Sequence, residues 1–414
     1  MRAIVWLVLL FVVAVVAALT LGDNAGLVSF YWNSWRLDLS LNFFLLAALA
    51  LGFSVMTAAR AVNALVGLPA RAREWRGLRL ERAAQAALRE AQAEFFAARY
   101  SRSHKAALRA LQLRQDVPLL ASEHAFELLA LTLAAGSLHR LQDRPRRDAL
   151  LQTALRASHR QAATAVDDGL RLLAAEWALE DRDGPRAHAL LAELQPGVAR
   201  RTQALRLKLQ AARLERRPLD ALHTARLLAN HQAFSHTAAL GLLRSLAIEA
   251  LDAQHDMEQL RRTWQQIDAA DQRDPQVLAR AARRAAALGA PEEGRAWLRP
   301  MWDQLASLDP DDRAELGLAL AATCSGLGAE WLPRVEAAQR AHPAESAVQA
   351  AAGAVLFERQ LWGKARRPLE QAAQDPALVP VARRQAWRRL ARLAEEEGDT
   401  ELAEHCYRAA ALID

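Results

Sequence analysis

Hydrophobic and polar positions follow two different periods along this chain. From Ala3 to Leu21 the run AIVWLVLLFVVAVVAALTL carries no charge, and from Leu39 to Ala59 the run LSLNFFLLAALALGFSVMTAA again carries none. As helices at about 1.5 Å per residue, these runs would be roughly 28–32 Å long, the thickness of a bilayer's hydrocarbon core. Between them GLVSFYWNSWRLDLSL, residues 26–41, alternates at two, with Val28, Phe30 and Trp32 on one parity and Trp35, Leu37, Leu39 and Leu41 on the other. That alternation predicts extended chain with one wet face, and Asn33-Ser34 between its halves predicts the turn of a short hairpin. After residue 60 the apolar period becomes three and four and no further β-rich run follows. Ala, Leu, Arg, Glu and Gln dominate there, residues with high helix propensity.

Polar, proline or glycine breaks interrupt the helical part at 141–148, 180–187, 215–220, 271–276, 289–294, 308–313, 341–346, 359–364 and 396–401. Pieces of about a dozen residues between such breaks predict antiparallel helix pairs repeated along the chain. The last unit shows the pattern: Trp387, Leu390 and Ala391 on one helix, a turn at Gly398-Asp399, then Ala403, Tyr407 and Ala410 on the next. Small side chains at Ala391 and Ala403 let two helices approach, with Trp387, Leu390 and Tyr407 expected to fill the space around them. Gly353, Leu356, Trp362, Ala365, Leu369 and Ala372 take matching places one unit earlier. Trp331 to Ala365 is a step of 34 residues, Ala365 to Ala403 of 38, and Ala187 to Ala221 of 34 again, with Ala175 and Leu191 completing that earlier unit. Ala282, Gly289 and Leu298 form a looser unit, and the pattern is weakest at 83–160 and 231–270. The expected fold is all-α: two N-terminal transmembrane helices followed by a tetratricopeptide-like α-helical solenoid. The expected division is a membrane anchor at 1–60 (spans 3–21 and 39–59, extracytoplasmic loop 22–38), an arginine-rich juxtamembrane segment at 61–82 and a repeat domain at 83–414.

Charge sets the orientation. The loop holds one basic residue, Arg36, against Asp23 and Asp38, while Arg60, Arg71, Arg73, Arg76, Arg79, Arg82 and Arg89 follow the second run. Basic residues beside a span stay on the cytoplasmic side, which predicts both termini and the repeat domain in the cytoplasm. The arginines between Arg71 and Arg82 would also rest on anionic lipid headgroups, and Tyr31, Trp32 and Trp35 suit the headgroup layer on the other side. A cleaved signal peptide would share the apolar core after Arg2, but this run is longer than such a core and no small-x-small site precedes Gly22. A net charge of +6, from 53 basic and 47 acidic residues, does not call for nucleic acid.

The search for chemistry returns little. Eleven histidines are scattered, and neither H-E-x-x-H nor C-x-x-C occurs, so no metal site is specified. His231 and His236 stand five apart, off a common helix face, and GLG at 326–328 is too short for a phosphate loop. Cys324, in an apolar helix, and Cys406, beside His405, are expected as buried free thiols, since neighbours on one helix point in different directions. No catalytic residue, cofactor or metal is expected. A repeat array offers a groove instead, and the repeat offsets put Glu176, Arg206, Gln210, Arg213, Gln276, Arg283, Arg388 and Arg392 on its face. Their excess of arginine suits an acidic segment or a C-terminal carboxylate on a partner protein.

Two spans, a short aromatic loop, an arginine-rich exit and a degenerate tetratricopeptide array together resemble the bacterial HemY family, over essentially the whole chain. Gly26, Val28, Trp35, Asp38 and Ser40 hold the places of that family's stretch between its spans, with Trp35 where tyrosine is common. EQLRRTWQQI at 258–267 is similar to a tryptophan-bearing helix in the middle of the family's array. The resemblance implies a multi-pass protein of the bacterial inner membrane that works as a scaffold with late protohaem (porphyrin) biosynthesis enzymes, or in haem homeostasis, without catalysis of its own. An unrelated flavin-dependent protoporphyrinogen oxidase shares the name, but no G-x-G-x-x-G follows a strand here. The alternative is a tetratricopeptide adaptor for envelope biosynthesis or inner-membrane complex assembly. The adaptor that controls lipopolysaccharide synthesis has one span and ends in paired C-x-x-C motifs, whereas this chain ends AALID.

Overall fold

The computed structural model describes residues 26–158 and 165–413, with the side chains of residues 63–74 set aside. The expected first span, 3–21, lies outside the described residues. The chain divides into two compact units, Met1–Arg144 and Pro145–Asp414.

In the first unit, strands β1 (Leu27–Trp32) and β2 (Trp35–Ser40) pair antiparallel, with Leu27 opposite Ser40 and Trp32 opposite Trp35. Asn33 makes the two-residue turn at φ 51°, a left-handed conformation that asparagine tolerates. Opposed residues share a face of the sheet. Val28 with Leu39, Phe30 with Leu37 and Trp32 with Trp35 therefore form one apolar face. On the other, Ser29 donates to Asp38 and the Arg36 guanidinium sits over the Tyr31 ring, 5.7 Å from its centre. Tyr31 is thus separated from the two tryptophans with which the sequence grouped it. Ser40 ends the strand and caps the following helix by accepting from the Phe43 N–H at 3.4 Å. The Leu41 N–H donates to the Gly26 carbonyl at 3.0 Å, closing the open end of the hairpin onto that helix.

The helix, α1, runs unbroken for 56 residues, Leu41–Phe96, through both the expected second span and the expected juxtamembrane segment. Its part Leu41–Val62 is apolar and long enough to cross a membrane and is 0% buried. Among the described side chains, the first buried ones further along are Ala84, Ala87 and Ala91, spaced three and four apart on one face. There the helix Tyr100–Gln115 turns back against α1: the Ser103 hydroxyl donates to the Ala91 carbonyl at 2.8 Å and accepts from Ser137 at 3.0 Å. Val117, Leu120 and Phe126 complete this small core.

The second unit is built from helix pairs. They are Ala165–Glu180 with Gly184–Ala192, Thr202–Leu214 with Pro218–Asn230, His236–Asp252 with Met257–Gln266, and Pro275–Ala287 with Pro291–Trp302. Pro310–Ala322 with Leu332–Ala341, Ser346–Glu358 with Trp362–Gln374, and Pro380–Glu396 with Thr400–Ala411 follow. A shared local geometry explains the repetition. In five pairs a buried residue on the first helix, Ala175, Leu209, Ala282, Gly353 or Ala391, stands twelve positions before a small one on the second, Ala187, Ala221, Gly294, Ala365 or Ala403. Between them the turn holds a left-handed residue: Arg182 (φ 62°), Arg216 (55°), Gly289 (85°), Gln360 (56°) and Gly398 (80°). The next N–H then reaches back to the last turn of the first helix, as Asp183 to Ala178 O at 2.8 Å and Asp399 to Ala394 O at 2.9 Å. This is the Schellman stop, which satisfies carbonyls that a helix end would otherwise strand. Ala98 and Gln142 make the same stop in the first unit, at φ 57° and 60°. The close approach is tight enough that a Cβ on Gly294 would lie 2.8 Å from the Ala282 carbonyl oxygen.

The stretches 83–158 and 231–270, where the pattern was weakest, hold helices of the same kind. Three expectations need correction. Trp331, in the 3-10 turn Ala329–Trp331, precedes its helix, and Val335 takes the place that Ala365 takes next, so the 34-residue step from Trp331 is not a repeat step. Tyr407 is 41% exposed and fills no core. Cys324 lies just past the end of Pro310–Ala322 rather than in a helix.

Candidate partner-binding surface

A groove of about 480 Å³ opens between two first helices of neighbouring pairs, Ala165–Glu180 and Thr202–Leu214. Glu176 and Glu180 line one wall, and Gln203, Arg206 and Gln210 the other; Leu179, Leu207 and Leu214 supply apolar surface among them. The spacing of three and four puts each set on one helix face, while Ala175, Ala178, Ala204 and Ala211 of the same helices are buried in the core. The groove offers two carboxylates, one guanidinium, two carboxamides and leucine surface, a lining able to hold an extended or helical peptide. Arg206 is exposed and has no ion pair among the described residues.

Of the eight sequence-based candidates, the structure gathers Glu176, Arg206 and Gln210 here. Arg213 is exposed on the same helix but lines no part of the groove; Arg388 and Arg392 are exposed on Pro380–Glu396. Gln276 donates to Asp312 at 3.3 Å and Arg283 binds Glu315 at 2.6 Å, so both join one repeat to the next.

Those two contacts belong to a ladder that the sequence reading missed. Arg244 grips Asp274 with both carboxylate oxygens engaged, Arg280 binds Asp252 at 2.6 Å, Arg261 binds Glu293 at 2.7 Å, Arg313 binds Glu345 at 2.6 Å and Arg334 binds Asp303 at 2.8 Å. Each of these arginine pairs is separated by 28 to 32 residues, so one guanidinium reaches the neighbouring repeat. Arginine and acid recurring at about that interval was the available signal. The pairing shifts the groups: hydrogen bonding from Arg261 holds the Glu293 carboxyl down, while burial, with Asp309 and Asp274 nearby, pushes Asp312 up. Partly exposed pairs of this kind each contribute at most about 1 kcal/mol.

Chemistry beyond binding finds few footholds. Burial pushes the thiols of Cys324 and Cys406 up, so both stay protonated and pack. Trp387 meets the His405 ring edge-on at 6.1 Å beside Cys406, and Arg389 reaches the Cys324 sulfur at 3.4 Å. His231 and His236 are exposed. Among the described residues no cluster of three His, Cys, Asp or Glu side chains could hold a metal ion.

Residues 26–135 match the family model described as the HemY protein N-terminus. No curated protein matches the chain. Among solved structures, the chain is similar to one in the crystal structure of the APC/C hetero-tetramer Cut9-Hcn1, at 14% identity and a TM-score of 0.27. That match covers 78% of this chain and spans 64% of the other.

Proposed function

We propose that the chain is a member of the HemY family, whose N-terminal model matches residues 26–135, and that it is a membrane-anchored, non-catalytic repeat scaffold. Its working surface is the groove of Glu176, Arg206 and Gln210, and its partners are proteins of late haem biosynthesis or haem homeostasis. The observation that carries the reading is the state of Arg206. Arginines of the ladder are matched to the chain's own carboxylates, whereas Arg206 has no ion pair among the described residues and stands beside leucine surface in a groove of peptide size. An unpaired guanidinium over apolar surface favours a partner segment bearing a carboxylate.

The anchor is proposed as two spans, 3–21 and Leu41–Val62, with both termini and the repeats in the cytoplasm. The bias of Arg60, Arg76, Arg79, Arg82 and Arg89 toward one end of the apolar helix supports that orientation. Arg76, Arg79 and Arg82 are exposed on the same helix and could rest on anionic lipid headgroups; Arg71 and Arg73 lie outside the described side chains.

Co-purification of the full chain from solubilised membranes, with mass spectrometry of what is retained, tests the reading. Arg206→Glu with Arg213→Glu should leave the circular dichroism spectrum and melting unchanged while partner retention falls, because like charges across an interface cost several kcal/mol. Retention of every partner by this variant would move binding elsewhere. Retention of envelope-assembly proteins in place of haem-pathway enzymes would favour the adaptor alternative.

A further inference from the structure

The hairpin presents an apolar face that is left exposed among the described residues of its own unit. Trp32 is 84% exposed, Trp35 81% and Leu37 58%, although their register gathers them with Val28, Phe30 and Leu39 on one side. A two-stranded hairpin is marginal in water by itself, since it buries too little apolar surface. We propose that this face is seated on lipid: the hairpin lies flat in the interfacial layer of the bilayer, its six apolar side chains toward the acyl chains. The proposal rests on the reading of Leu41–Val62 as a membrane span.

The occupant follows from continuity. Phe30 of the apolar face meets Phe44 in the first turn of α1 at 5.6 Å, so the face runs directly onto that helix. Around the helix Leu45, Leu46, Leu51 and Val55 are all exposed, at positions that do not share one stripe. A protein partner takes an apolar stripe and leaves the rest polar; apolar surface on every side fits a medium that surrounds the helix. The medium that meets Phe43 and Phe44 also meets Phe30 and the residues beyond it.

Depth follows from the backbone. A two-stranded sheet leaves hydrogen-bonding groups unpaired along both outer edges, which the hydrocarbon centre does not tolerate. The edges must stay within reach of water. Indole rings settle at that depth, with the N–H toward the headgroups. The reverse face agrees: Ser29 bound to Asp38, and Arg36 over Tyr31, give it charge and hydroxyl groups. Hydrogen bonds from Ser29 and Arg36 hold Asp38 below the usual carboxylate range, so this face remains ionised.

The test places one cysteine at a time in the full chain, reconstituted in vesicles of phosphatidylcholine and phosphatidylglycerol: Leu37→Cys on the apolar face, Tyr31→Cys on the polar face and Leu49→Cys in the span. Cys324 and Cys406 are 6% and 2% exposed, so a maleimide fluorophore addresses the introduced thiol. Iodide reports access from water, and a lipid-borne nitroxide reports access from the bilayer. The expected result is quenching at Leu37→Cys by the nitroxide and several-fold weaker quenching by iodide than at Tyr31→Cys. Equal iodide quenching at the two sites, with Leu49→Cys still quenched by the nitroxide, overturns the lipid seat and leaves the span standing. Shielding of Leu37→Cys from both quenchers also overturns it and assigns the face to protein, a second copy or residues 3–21. Absence of nitroxide quenching at Leu49→Cys overturns the span, and the lipid seat with it.

Discussion

Leu46 and Leu298 carry the same side chain into opposite circumstances: the first is 70% exposed on the long N-terminal helix, the second 0% exposed inside a repeat. The contrast extends to their surroundings. Residues 26–62 show apolar side chains outward and hold little of their own polar surface, whereas the repeats hide alanine and leucine and turn arginine and carboxylate outward in matched pairs. One region completes itself by folding; the other is completed by what it is placed in.

Leucine truncation is the sharpest way to break this comparison. Leu298→Ala should destabilise the chain by about 2–5 kcal/mol, through lost burial and the cavity left behind. Leu46→Ala should shift the melting of the detergent-solubilised protein by no more than about 0.5 kcal/mol. A large cost at Leu46 would mean that protein, not lipid or detergent, surrounds that helix.

Glycine offers the next test. Gly294→Ala should cost about 1–3 kcal/mol, because the new methyl would press on the Ala282 carbonyl, a backbone atom that cannot swing aside. Gly52→Ala, with nothing within 4 Å of the added carbon, should be neutral or slightly stabilising, since alanine is the better helix former. Both are read from thermal midpoints followed by circular dichroism.

At the turns the sign reverses. Gln360 and Arg216 hold left-handed conformations that glycine adopts without a Cβ clash. Gln360→Gly is expected to raise stability by about 0.5–1 kcal/mol, with no change in helix content.

The smallest effects concern pH. Asp312, raised by burial, favours folding when protonated, and that contribution is lost as pH rises from its ordinary value of 3.8 through its higher folded value. Asp312→Asn should therefore be more stable at pH 7, within about 0.5 kcal/mol, and the gain should vanish in acid. Glu293, lowered by Arg261, behaves oppositely: its stabilisation is present above 4.5 and is lost as pH falls through the depressed value. Glu293→Gln should be weaker at neutral pH, with the difference closing in acid. Denaturation midpoints across pH 3–7 check both.

Much of this fold was legible because the helix ends carry chemistry. Asp183, Asp274, Asp309 and Asp399 cap helices in or beside breaks visible in the sequence, and prolines open several of them. The turn at Ala97–Arg99 was not legible, because Ala98 adopts the left-handed conformation without glycine or proline to mark it. Trp331 misled for a different reason: the connection between Pro310–Ala322 and Leu332–Ala341 is longer than in the other pairs, so equal steps along the chain no longer meant equal places in the fold. The groove was half visible. Glu176, Arg206 and Gln210 lie on faces that helical spacing alone assigns. The fate of Gln276 and Arg283 depends on Asp312 and Glu315, 36 and 32 residues on, which read only as acids suited to a helix N-terminus.

The unbroken helix Leu41–Phe96 has a consequence for reach. Its 56 residues extend about 84 Å along the axis, of which Leu41–Val62 takes about 33 Å. With that part in a bilayer, roughly 50 Å of the same rod continues past it with no joint before Ala97. Along that rod Ala84, the first buried side chain among those described, stands about 33 Å beyond Val62, so a substitution in the apolar part and one in the small core are felt at separate ends of one helix.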